Sequence, residues 1–194
     1  VIVHPDGKLE KVKNSYTQDI QIGGAANGDT EIDDPGVRPL YFPDEDGTER
    51  YLFLYRKSMS PYYRTATRAG NSLSLSSRNQ WNGGNGAGNF AVGYNPDRKR
   101  AVMIFYQQSP GGYCAVQIIR PNGSSIAQGS TVQVDTGGSV NGVGVAYHGD
   151  DKFIIAWSRG GTVYSKILTN TSSSNYTGIS VGNTVTVGSA GGNI

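Results

Sequence analysis

The sequence predicts an all-β fold, a β-propeller-like repeat of four-stranded antiparallel blades with about three and a half blades in 194 residues. Three observations carry that expectation. The chain holds 28 glycines and only 16% charged residues, about twice the ordinary glycine share of ~7% and well below the usual ~25% of charge. That much glycine defeats long helices, while 12 Tyr, 5 Phe and 2 Trp supply apolar bulk that a disordered linker lacks. Tyr41, Tyr94 and Tyr147 recur at 53-residue intervals, as do Leu73, Ile126 and Ile179, and Trp81, Val134 and Val187. Each interval holds four short apolar or alternating segments divided by turn residues, the pattern of a propeller blade.

The elements follow in order. Residues 1–22, with the turn His4-Pro5-Asp6-Gly7, read as the end of a preceding blade. Blade 1 spans 23–81, with strands at 40–42, 51–55 and 63–67 and a degenerate fourth at Leu73-Ser74-Leu75. Blade 2 spans 82–134. Its strands are 90–94, 101–107, 113–119 and 131–134, with turns at Asn95-Pro96-Asp97 and Pro121-Asn122-Gly123. Blade 3 spans 135–187, with strands at 143–147, 153–157, 162–168 and 184–187, and residues 188–194 lead towards a next blade. The second strand of each blade is a nearly continuous apolar run, YLFLY at 51–55, VMIFY at 102–106 and FIIAW at 153–157. Such a strand is expected to be buried on both faces between neighbouring blades. The third and fourth strands alternate and are expected to face solvent on one side. Rings usually close with roughly 4 to 8 blades, so the remainder is expected from another part of a longer chain, from other copies, or not at all.

Charge and composition exclude several functions. A net charge of +2 lacks the concentrated basic face that phosphate contacts require, so no nucleic-acid partner is expected. One cysteine cannot form an internal disulfide, and with two histidines it leaves little for a Cys/His zinc site. No apolar run approaches the ~20 residues of a membrane span.

Candidate chemistry sits in four groups. Asp29, Glu31, Asp33 and Asp34 form an acidic cluster whose oxygens suit calcium, as do Asp44, Glu45 and Asp46. Neither has the spaced acidic pattern of a calcium-binding loop, and acidic loop tips are ordinarily just solvated; no other cofactor is implied. Tyr62, Tyr63, Arg64 and Tyr113 are candidates for carbohydrate contact, because aromatic faces stack on the apolar face of a sugar while polar neighbours fix its hydroxyls. Trp81 and Trp157 read as core residues instead. Cys114 lies inside an apolar strand, where a free cysteine behaves as a small hydrophobe, and His4 and His148 occupy turns, so no catalytic dyad is expected. Arg98-Lys99-Arg100 reads as a solvated hairpin tip.

Two resemblances extend this reading. Tyr94-Asn95-Pro96-Asp97, Ile104-Phe105-Tyr106 and the segments 125–134 (SIAQGSTVQV) and 179–187 (ISVGNTVTV) resemble a repeat of large virion-associated proteins of bacteriophages, tail-fibre-type proteins of aquatic and cyanobacterial hosts among them. The likeness covers residues 82–187. It implies a non-enzymatic module of a virion surface or extracellular assembly, such as a fibre, spike or decoration protein. Its partners would be other copies, other virion proteins and host surface glycans. Separately, Asp33-Asp34-Pro35-Gly36-Val37-Arg38-Pro39 with Gly47 and Tyr51-Leu52-Phe53 resembles the opening of a blade in five-bladed glycosidases, where an Asp before Pro serves as general base. Glycoside hydrolysis requires a second carboxylate ~5 to 9.5 Å away, and the corresponding stretches 82–89 and 136–142 contain no Asp or Glu. Asp34 is better accounted for as a turn residue before Pro35. A secreted carbohydrate-binding or glycosidase-type propeller and a bacterial surface filament or adhesin fragment are the alternatives.

Overall fold

The computed structural model describes residues 2–3, 9–10, 33–57, 60–70, 72–81, 87–108, 111–171 and 178–189. Among them the structure is all β, without a helix. Strands β1 (Ile2–Val3) and β2 (Leu9–Glu10) pair antiparallel. Three larger antiparallel sheets follow in series. The first contains β3 (Asp33–Tyr41), β4 (Arg50–Lys57), β5 (Ser60–Ala69), β6 (Ser72–Leu75) and β7 (Asn79–Gln80). The second contains β8 (Ala87–Asn95), β9 (Arg100–Gln107), β10 (Tyr113–Asn122), β11 (Ser125–Gln128) and β12 (Val132–Asp135). The third contains β13 (Gly142–Gly149), β14 (Lys152–Arg159), β15 (Thr162–Asn170), β16 (Ile179–Val181) and β17 (Val185–Ser189). In each sheet the order is sequential, and the last two short strands both pair with the third long one.

Where four strands are expected, the fourth is broken in two. The break carries a recurring backbone hydrogen bond: Ser76 N–H to Thr65 O at 2.8 Å, Gly129 N–H to Ile118 O at 2.9 Å and Gly182 N–H to Ile167 O at 2.9 Å. A methyl group on Gly182 would stand 3.1 Å from that carbonyl oxygen, tight enough to favour glycine. In the first sheet the residue there is Ser76, whose Oγ accepts from Thr65 N–H at 2.9 Å.

The sheets are joined by two apolar interfaces. Leu52, Leu54, Tyr63, Phe42 and Trp81 of the first pack against Phe90, Met103, Phe105 and Ile119 of the second. The opposite face of the second, with Val102, Ile104, Val116 and Ile118, packs against Phe153, Ile155 and Trp157 of the third. Between sheets, β8 packs on β3 on one side and on β13 on the other, so the first strands of the three sheets gather together. No closed ring forms among the described residues.

Burial follows from this layering. In β9 the residues Ala101, Val102, Met103, Ile104 and Phe105 are buried, as the apolar run predicts. β10 is also buried on both faces, contrary to the expectation for third strands, because the second sheet is covered on each side. In β14 the run alternates instead: Phe153, Ile155 and Trp157 are buried, while Ile154 is 41% exposed. The column Trp81, Val134 and Val187 diverges for the same reason. The first two are at most 4% exposed and Val187 is 64% exposed, since among the described residues the first two face a following sheet and the third does not.

Candidate functional site

Register separates the four aromatic and cationic candidates. Tyr63 is opposite Leu54, on the face of the first sheet that meets the second, and it is buried. Its hydroxyl accepts from Ile126 N–H at 3.4 Å. Tyr113 is half-buried against that same inter-sheet cluster. Tyr62 and Arg64 lie opposite Tyr55 and Phe53, on the other face of the first sheet. Arg64 is buried, and Tyr62 is half-buried and stacked on Tyr55 with centroids 6.1 Å apart. The four therefore divide into two pairs on opposite faces, and only Tyr62 and Tyr113 keep appreciable exposed surface.

A second aromatic group, which sequence reading missed, recurs at the corresponding place in the third sheet. Trp157 and Tyr164 are register partners stacked at 5.8 Å. The Arg159 guanidinium lies 5.0 Å from the Tyr164 ring centre, as that of Arg78 lies 4.9 Å from Tyr62. Asp135 at the end of β12 organises this group: it accepts from Trp157 Nε1 at 2.8 Å and from Arg159 Nη1 at 2.6 Å through both oxygens. The hydrogen bond with Tyr164 and those with Asp135 hold the Arg159 guanidinium firmly protonated. Lys166 Nζ donates to Val134 O at 2.7 Å. The only sequence signal is the pairing of Trp157 with Tyr164 across the Gly160-Gly161 turn. Asp135 reaches them from another sheet, a contact that no local pattern encodes.

These polar groups tie sheets together. Trp81 Nε1 donates to Gln117 Oε1 at 2.7 Å between the first and second sheets, as Trp157 does to Asp135 between the second and third. At the turns that follow the first strands, Lys99 Nζ donates to Glu45 O at 2.9 Å, and Arg120, near the end of β10, pairs with Glu45 at 3.3 Å. Tyr147 OH donates to Asp97 at 2.6 Å, and Arg98 forms a forked pair with Asp151 at 2.7 to 3.1 Å. The basic triplet is thus a cross-sheet clasp rather than a solvated tip, and Arg100 is buried.

Of the acidic candidates, Asp29 and Glu31 lie outside the described residues, and Asp33 and Asp34 are described in their backbone alone, within β3. The second acidic cluster is occupied by the protein itself. Asp44 pairs with Arg50, and Asp46 accepts from Thr48 N–H at 2.8 Å, which holds its carboxyl below the ordinary range. Cys114 is buried, and burial pushes its thiol up to about 12, far from a nucleophilic thiolate. His148 is exposed, and His4 lies outside the described residues.

No known protein family, no curated protein and no solved structure matches this chain.

Proposed function

We propose that the chain is a non-enzymatic structural and adhesion module of a viral particle surface, a fibre, spike or decoration component built from propeller-like blades. The observation that carries this reading is the repeated clasp between sheets. The well-placed polar groups, Trp81 with Gln117, Trp157 and Arg159 with Asp135, and Arg98 with Asp151, hold one sheet to the next. The gathering of β3, β8 and β13 favours blades arranged about a common axis. The likeness to phage virion repeats supplies the setting. The rings that keep exposed surface, Tyr62 beside the Arg78 guanidinium and, at a separate place, Tyr113, are the ones offered to host glycans.

Two measurements test it. Antibodies raised against the chain should label the surface of intact phage particles in electron micrographs, and labelling confined to host cells overturns the virion setting. On a glycan array the chain should retain a defined set of glycans, with loss on Tyr62→Ala or Tyr113→Ala. Release of free sugar from a retained glycan overturns the non-enzymatic reading.

A further inference from the structure

Two Asn-Gly pairs lie within the described residues, Asn122-Gly123 and Asn141-Gly142, and the fold treats them differently. An asparagine followed by glycine carries its own electrophile and nucleophile. The glycine nitrogen can close on the side-chain amide carbon, and a residue without Cβ offers the least obstruction to that approach. Whether closure occurs depends on the freedom of the peptide unit between the two residues.

Asn122-Gly123 stands at the tip of the β10–β11 hairpin. Asn122 and Ser125 are register partners, so Gly123 and Ser124 form a two-residue turn. Gly123 is at its first central position with φ +60°, and Ser124 stays out of the left-handed region, the type II′ form. Asn122, Gly123 and Ser124 are all exposed. Among the described residues nothing accepts from Gly123 N–H, and the Asn122 side-chain amide has no hydrogen-bond partner. Beyond the chain neighbours, no atom lies within 4 Å of where a Gly123 Cβ would stand. Asn141-Gly142 is instead built into the third sheet. Asn141 N–H donates to Ser158 O at 3.0 Å, its carbonyl accepts from Asn89 Nδ2, and Gly142 is buried at the start of β13 opposite Ser158.

We infer that Asn122 is a deamidation and isoaspartate site that reacts in the folded chain, while Asn141 is held inert. The Gly123 nitrogen gives up its proton to solvent base and bonds to Asn122 Cγ. The Cγ–Nδ2 bond breaks and Nδ2 leaves as ammonia, carrying a proton, so that a five-membered imide remains. Water opens the ring at one of its two carbonyls. Attack at Cγ gives aspartate, and attack at the main-chain carbonyl gives isoaspartate, whose chain runs through Cβ and Cγ. Only water is consumed. Isoaspartate adds a main-chain atom to a two-residue turn that is also a contact between sheets: Ser124 O accepts from Thr65 Oγ1 at 2.9 Å, and Ile126 N–H donates to Tyr63 OH at 3.4 Å. Lengthening the turn displaces Ser124 from Thr65 and loosens the hold of the first sheet on the second. This inference draws on neither the virion setting nor glycan binding.

Ageing of the whole chain in mildly alkaline buffer, followed by peptide mapping, tests it. The peptide carrying residue 122 should become one mass unit heavier, or three in water labelled with heavy oxygen, and should separate into aspartate and isoaspartate forms. It should convert at least about tenfold faster than the peptide carrying Asn141, which must wait for β13 to open locally. In guanidinium the two rates should meet, since both pairs are then free. The aged chain should unfold at lower urea concentration than the fresh one. Asn122→Gln, which can close only a larger and slower ring, should lose less on the same ageing. Equal rates in the folded chain, an intact Asn122 where Asn141 has reacted, or the same rate ratio with and without guanidinium overturns the inference. Equal losses in the chain and in Asn122→Gln overturn the loosening.

Discussion

At the residue scale, the side chains with the most reactive chemistry are spent on structure. Cys114 is enclosed between the second and third sheets, with its thiol pushed up to about 12 by burial. A thiol reagent should therefore modify the native chain no faster than it unfolds, and fully in denaturant. Rapid labelling at neutral pH in the absence of denaturant would contradict the enclosure. Gly137 gives a sharper case. A methyl group there would overlap the Arg159 guanidinium, which Asp135 and Tyr164 hold in place. Gly137→Ala should displace the flexible end of Arg159 and cost at most about 1 kcal/mol in urea unfolding, the scale of a partly exposed ion pair. If the cost arises through Arg159, adding Gly137→Ala to Arg159→Ala should cost little more than Arg159→Ala alone. The sequence showed Cys114 in an apolar run and Gly137 in a glycine-rich lead-in. It could not show that Gly137 makes room for an arginine 22 positions later, because that contact exists only once two sheets are stacked.

At the element scale, the second strands were legible as strands, and their burial was legible only in part. Alternation and turn residues define β4, β9 and β14 whatever covers them, since they are local properties. Whether the outward residues of a strand are buried depends on a neighbouring sheet. Hence similar apolar runs end with Ile104 at 0% and Ile154 at 41% exposed. Ile104→Ala should therefore destabilise by about 2–5 kcal/mol, the range for truncating a buried isoleucine. Ile154→Ala, measured at micromolar concentration, should cost about 1 kcal/mol or less. Equal costs would mean that the third sheet is covered in solution as the second is. The broken fourth strands follow the same division. Gly129 and Gly182 stand one repeat interval of 53 residues apart in the sequence, but the carbonyl each approaches belongs to the strand alongside, so the break itself was not readable.

At the scale of the whole molecule, the repeat interval revealed the series of sheets, while the clasps between them rest on turn residues separated by one whole repeat. Arg98 and Asp151 are 53 positions apart, so a residue of one unit meets the same region of the next. The hydrogen bonds from Arg98, the chief cause, and from Asn95 hold the Asp151 carboxyl below the ordinary ~3.9 of an aspartate. The sign of the pH effect follows. A carboxyl that is more acidic in the folded than in the unfolded chain contributes stability that is fully present above its unfolded value. That stability is lost as the pH falls through the folded value, because the unfolded chain takes up the proton first. Between neutral pH and about pH 5 the contribution should be constant, and below ~4 it should fade. Thermal melts of the chain and of Asp151→Asn, run from pH 7 down to pH 2, should show the variant melting lower at neutral pH. The two curves should converge at the acid end, where the native aspartate is itself protonated. Added salt should narrow the neutral-pH gap, since Arg98 is 46% exposed and its part of the pair is screened. A gap of constant size across the whole range would mean that Asp151 acts through its shape in the turn rather than through its charge, and that the sheets are held there by packing alone.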